Sequence, residues 1–219
     1  MILEAVQGRM FGVNCFIVGD EDTKEAMIID PGEMPEAIVE TVRELELTVK
    51  CIVLTHTHMD HIGGLQQVKD ATNAEVWVHE AEAPNLRAQA EGRSRSWLNT
   101  PTEPPPPPDK LLQGGETIEI GKLKFVVLNT PGHSPGGISI YGEGVVFTGD
   151  ALFNSGIGRT DFPGCSEVQL VDSIMKTLMV LPPQTHVLPG HGPESTIGRE
   201  HQSNPWIRLW TGRSPSSER

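Results

Sequence analysis

Cysteine is scarce in this chain. Cys15, Cys51 and Cys165 are the three among 219 residues, too few and too scattered for a disulfide framework or a paired-cysteine zinc site, and a reducing cytoplasm suits them best. Cys15 and Cys51 lie in the apolar runs NCFIV and CIVL and read as buried free thiols, while Cys165 lies in a polar loop. Long apolar stretches are also lacking. No segment approaches the ~18 apolar residues of a membrane helix, and the opening MILEAVQGRMFGVNCF has no basic segment followed by an apolar run. The expectation is a soluble, non-exported protein without a membrane partner. Positive charge is short as well: 17 Lys and Arg against 29 Asp and Glu leave a net charge of -12, a field that repels polyanions and argues against nucleic acid. The length allows a full core, and the chain reads as one domain over residues 1–210 with a flexible tail at 211–219.

What is present alternates. Short β-branched runs, NCFIV, AMIID, CIVLT, EVWVH, KFVVLN, ISIY, VVFTG and HVLPG, read as strands. Between them, Ile38, Val42 and Leu45 fall at helical spacing after Pro35. Val168, Val171, Met175 and Leu178 do the same behind a Ser166-x-x-Gln169 capping box, and both stripes read as core faces. This is a sheet-rich α/β pattern whose two halves echo one another. Residues 83–110 differ, with Arg87, Arg93, Arg95, Trp97 and a stiff proline run from Pro104. A surface excursion is the preferred reading there, with a substrate-covering lid as the alternative.

The run CIVLT leads directly into HTHMDH, which places His56, His58, Asp60 and His61 where a strand ends and a loop opens. Such edges are where α/β proteins keep their sites. Four ligands are too many for one tetrahedral ion that must also keep a position for water, so two ions side by side are expected. Further ligands then belong at other strand ends. His133 in PGHSPGG, Asp150 in FTGDALF and His191 in LPGHGP each close an apolar run behind a glycine. His79, His186 and His201 have no companion ligand beside them and read as structural.

HTHMDH followed by His133, Asp150 and His191 resembles the metallo-β-lactamase superfamily signature, over residues from about Gly12 to Trp206. The ending PGHGPESTIGREHQSNPW, with GRTDFPG, is similar to the short glyoxalase-II-like thioester hydrolases. The resemblance implies a four-layered αββα sandwich. It also implies that His56, His58 and His133 hold one divalent metal, that Asp60, His61 and His191 hold the other, and that Asp150 bridges both. The metals it implies are zinc in the first place, with iron or manganese as alternatives.

Two ions close together can share a bridging hydroxide while polarising the carbonyl under attack, and Asp60 is then placed to accept a proton. A thiolate leaves without protonation, so a thioester suits the absence of a separate acid in the motifs. The resemblance implies S-lactoylglutathione or a similar hydroxyacyl thioester. Arg159 in GIGRTDFPG is a candidate for binding a substrate carboxylate; a pair with Asp161 is preferred, because an arginine beside two cations needs a shield. The rival readings are an Fe(II) persulfide dioxygenase, a lactonase or β-lactamase of the same superfamily, and a non-catalytic binding protein.

Overall fold

Along Asn14–Gly19 successive side chains point to opposite faces, and both faces are apolar. Cys15 and Ile17 go one way, Phe16 and Val18 the other, and all four are buried. A strand that is apolar on both sides needs cover on both sides. The structure, a computed structural model that describes residues 1–92 and 103–212, provides it with two sheets and helices outside each.

The first sheet runs β1 (Ile2–Gln7), β2 (Asn14–Gly19), β3 (Glu25–Ile29), β4 (Thr48–Leu54), β5 (Glu75–His79) and β6 (Lys110–Leu112) in spatial order. It is antiparallel up to β3 and parallel beyond it. The second sheet contains β7 (Thr117–Ile120), β8 (Leu123–Asn129), β9 (Ile138–Gly142), β10 (Val145–Gly149), β13 (His186–Pro189) and β14 (Ser195–Thr196), in the spatial order β14-β13-β10-β9-β8-β7. Its parallel pair is β10 with β13. A ribbon of β11 (Leu152–Phe153) and β12 (Gly156–Ile157) stands beside it. Each half of the chain therefore builds one sheet.

Three apolar layers follow from the alternation. Ile17, Ile28, Ile52 and Val76 meet Ile38, Leu65, Val68 and Leu86 from α1 (Pro35–Glu44), α3 (Leu65–Thr72) and α4 (Ala83–Ala90). Between the sheets, Phe16, Met27 and Val53 meet Phe125, Ile140 and Phe147. The ring centroids of Phe16 and Phe147 are 5.2 Å apart, within the range in which aromatic pairs attract beyond their area. On the far side, Val146 and Val187 meet Leu170, Ile197 and Ile207 of α5 (Glu167–Ser173), α6 (Ile197–Ser203) and α7 (Pro205–Gly212). The result is the four-layered αββα sandwich. Among the described residues, no helix is long and apolar enough to cross a membrane.

Several expectations need correction. Val168 is 64% exposed and does not belong to a core stripe. It lies two residues from the fully buried Leu170, about 200° around the helix, and so faces solvent. Leu170, Val171, Ile174 and Leu178 form the inner face instead, the last two within a π-helical turn at Ile174–Leu178. The capping box is half made: Ser166 Oγ accepts the Gln169 N–H, but the Ser166 N–H donates to the Gly132 carbonyl at 2.8 Å, so it does not serve the Gln169 side chain. Residues 83–90 are no loop excursion, since α4 buries Ala83 and Leu86 against the first sheet. Arg93, Arg95 and Trp97 lie outside the described residues, as do residues 213–219, whereas Thr211 and Gly212 still belong to α7. The strands β1 and β7 went unread because neither has an unbroken apolar run to distinguish it.

Leu170→Ala is expected to cost about 2–5 kcal/mol of stability, while Val168→Ala stays within about 0.5 kcal/mol. Urea unfolding of the two variants checks this, and equal costs would contradict the facing of α5.

Candidate metal centre

The C-terminal ends of β4, β10 and β13 open onto one rim of the sandwich, and the loop between β8 and β9 joins them there. β4 leads into His56 and His58, the latter in extended backbone, and then Asp60 and His61 on a single helical turn, α2 (Met59–Ile62). His133 comes from the β8–β9 loop, Asp150 follows β10 and His191 follows β13. All seven predicted side chains meet.

They form two sets. In the first, His58 Nδ1 lies 3.1 Å from His56 Nε2 and 2.9 Å from His133 Nε2. In the second, His191 Nε2 lies 3.3 Å from His61 Nε2 and 3.1 Å from Asp60 Oδ2. Asp150 stands between them, with Oδ1 3.3 Å from His61 Nε2 and Oδ2 3.5 Å from His133 Nε2. Bonds of ~2.0–2.1 Å to a tetrahedral ion place neighbouring ligand atoms roughly 3.3–3.4 Å apart, close to these separations.

The outer nitrogens show why an ion fits. His61 Nδ1–H donates to Asp30 Oδ2 (2.9 Å), His133 Nδ1–H to the Arg159 carbonyl (2.8 Å) and His191 Nδ1–H to the Phe11 carbonyl (3.2 Å). His56 Nδ1–H donates to Thr55 Oγ1 (3.1 Å), whose own proton goes to Asp30 Oδ2 (2.6 Å). With the outer nitrogens protonated, the inner ones carry lone pairs that face each other, an arrangement that needs a cation between them. Asp150 Oδ1 is buried with no hydrogen-bond partner, a costly state for a carboxylate oxygen unless a metal takes it. The donor set of imidazole and carboxylate suits a first-row divalent ion.

Two glycines make the convergence possible. A Cβ at Gly190 would lie 2.4 Å from Asp150 Oδ1 and 2.7 Å from the His61 ring, and one at Gly32 would lie 1.7 Å from the Asp60 carbonyl oxygen. Only bare backbone passes at those points.

Asp30 escaped the sequence reading. It is buried, has φ of 53°, accepts the Thr55 N–H at 2.7 Å and carries the hydrogen bonds behind His56 and His61. It closes the run AMII much as Asp150 closes VVF, without the glycine that precedes Asp150. The three other histidines stay apart from both sets. His79 Nδ1 accepts the Ala81 N–H, and His186 and His201 are exposed. Arg159 binds Asp161 through two 2.7 Å hydrogen bonds and lies 4.0 Å over the Phe162 ring, both on the surface. Cys15 and Cys51 are buried thiols, and burial raises the Cys51 pKa to about 12; Cys165 donates to the His133 carbonyl.

The two sets differ in proton affinity. Burial, reinforced by neighbouring imidazoles, pushes His56 well below its ordinary range and His58 down to about 4. In the second set burial opposes the carboxylates and loses: His61 is raised beside Asp150 and Asp30, and His191 is raised by its bond to Asp60. Burial alone would raise Asp60 and Asp150 too, but the bond from His191 and the charge of His61 lower them.

A four-layer sandwich with such a rim defines a superfamily of metal-dependent hydrolases. The chain belongs to the metallo-beta-lactamase superfamily, whose profile matches residues 8–202. It is 37% identical over 211 residues to the hydroxyacylglutathione hydrolase GloC of Haemophilus influenzae, covering 94% of this chain and 98% of that one. The crystal structure of the B3 metallo-beta-lactamase BLEG-1 superposes with a TM-score of 0.86 at 38% identity, over 94% of this chain and 99% of that one. TTHA1623, solved in a di-iron-bound form, superposes at 0.78 with 34% identity, over 93% and 99%.

Asp150 stands between the two sets, so Asp150→Ala is expected to lower metal content and activity together, while His79→Ala changes neither much; elemental analysis of the two purified variants is the check. The proton affinities predict an order of loss. A ligand nitrogen must shed its proton to bind metal, so the raised His61 and His191 give up their ion at a higher pH than His56 and His58. Dialysis from about pH 7.5 to 5 is expected to empty the second set first, read as metal retained per chain.

Proposed function

We propose that the chain hydrolyses acyl thioesters, with S-lactoylglutathione or a similar hydroxyacyl thioester as substrate. It would act in the cytoplasm with two divalent ions, zinc first and iron or manganese as substitutes. The observation that carries this reading is Asp150, placed within 3.5 Å of a histidine of each set. The likeness to a hydroxyacylglutathione hydrolase over nearly the whole of both chains supports the substrate class.

Two such ions, when bound, polarise a carbonyl and lower the pKa of water enough to make it a nucleophile at neutral pH. The chain supplies the rest. His56, His58 and His133 would hold one ion, Asp60, His61 and His191 the other, and Asp150 both. Asp60, its pKa depressed, is ionised at neutral pH and partly open to solvent, so Asp60 Oδ1 is the proposed acceptor for the proton of the attacking water. The thiol of the substrate, with a pKa of ~8.5, departs as a thiolate without a donor. Arg159 in its pair with Asp161 shapes the loop that holds His133 through the Arg159 carbonyl, rather than reading the substrate.

The test is metal analysis of protein purified without added metal, followed by turnover on S-lactoylglutathione, an uncharged thioester, a lactone and a β-lactam. The β-lactam is included because BLEG-1 is a lactamase. Two ions per chain and thioester turnover abolished by chelation are expected. Iron content with oxygen uptake on a persulfide, and no thioester turnover, would replace this reading with the dioxygenase. Arg159→Ala is expected to lower the melting temperature slightly and reduce kcat/KM on charged and uncharged thioesters by similar factors. A KM rise confined to glutathione thioesters would assign the guanidinium to substrate instead.

A further inference from the structure

Glu82 is 2% exposed and belongs to neither ligand set. It stands at the start of α4 and turns its carboxylate inward between two loops. Oε2 accepts the Thr57 N–H at 3.1 Å and the Thr57 hydroxyl, and Oε1 accepts the Gly136 N–H at 2.9 Å. Thr57 is the residue between His56 and His58, and Gly136 follows His133 by three. One buried carboxylate thus ties the ligand loop of the first sheet to the ligand loop of the second.

The rest of α4 holds the same residue. Asn85 Nδ2 donates to Thr57 Oγ1 at 2.8 Å, and Gln89 Nε2 donates to the Thr57 carbonyl at 2.7 Å. The contact with the other loop is equally tight, for a Cβ at Gly136 would lie 2.9 Å from Glu82 Cγ. The second set has other supports. Gly64 N–H donates to the Pro31 carbonyl behind α2, Asp30 holds His61, and Asn14 Nδ2 donates to the Pro189 and Gly192 carbonyls on either side of His191.

We propose that Glu82 is a positioning residue of the His56, His58 and His133 set, and acts on that set alone. This rests on the reading of the seven side chains as ligands of two ions. Three donors converge on one carboxylate, and charge-assisted bonds of this kind are stronger than neutral ones. A glutamine has one acceptor oxygen, so its amide N–H would face a backbone or hydroxyl donor and push one of the loops away. The effect falls on the separation between His58 and His133.

The experiment is calorimetric titration of the metal-free protein with zinc alone. Glu82→Gln is made in two backgrounds, His191→Ala, which leaves the first set intact, and His133→Ala, which leaves the second. The expected result is a zinc Kd raised about 10- to 100-fold in the first background, the range seen when the support behind a ligand is lost, and changed less than about twofold in the other. Equal weakening in both backgrounds would show a general structural role, and no change in either would show none; both overturn the proposal. If Glu82→Gln does not fold, Thr57→Val, which removes one of the three donors, is titrated in the same backgrounds and decides by the same selectivity. Wild-type protein that took up fewer than two zinc ions would overturn the two-ion reading and this inference with it. Two ions with unselective loss would overturn only the role of Glu82.

Discussion

Lone pairs on five imidazoles and two carboxylates cannot converge on one rim without a cation to hold them, and the rest of the structure is arranged around that constraint. Each of four histidines has a partner behind it that accepts a hydrogen bond from its outer N–H, a side chain at His56 and His61 and a backbone carbonyl at His133 and His191. The inner nitrogens are thereby left free for metal. The partners come from both halves of the chain, so the geometry depends on two sheets packed at a fixed separation, which the Phe16, Phe125 and Phe147 layer maintains.

Buried carboxylates do most of the outer work. Asp30 serves Thr55 and His61 together, and Glu82 serves Thr57 and Gly136. A buried charge is tolerated only when its lone pairs are met, and both acids have three donors. Asp30 also sits at positive φ, a sparsely populated conformation for a non-glycine residue that the surrounding hydrogen bonds over-determine. The asymmetry in proton affinity between the ligand sets has the same origin. The second set is surrounded by Asp30, Asp60 and Asp150, whereas His56 and His58 have chiefly burial and other imidazoles around them.

The candidate ligands were legible because His56, His133, Asp150 and His191 follow apolar runs and His58, Asp60 and His61 crowd in behind His56, a pattern that a strand leading to a sheet edge produces directly. Asp30 has the same signature in AMIID and was read as the end of a strand, since nothing in one sequence separates a ligand from the residue that orients one. Glu82 left no trace: it lies in EAEAPNL among other charges, with its partners 25 and 54 residues away. The Val168 stripe failed for a local reason. Several apolar spacings fit a helix of this length, and only packing against the second sheet selects the one through Leu170 and Ile174.

Local pattern therefore determined most of the strands, the helical segments after Pro35 and Ser166 and the seven candidate ligand residues, because alternation, chain breaks and residue chemistry are properties of short segments. Only the tertiary structure decided how closely the candidate ligands of each set approach one another, which carboxylates stand behind them and which helix face is buried. Those outcomes depend on distances between residues far apart in the chain, and such distances exist only once the two sheets have closed on each other.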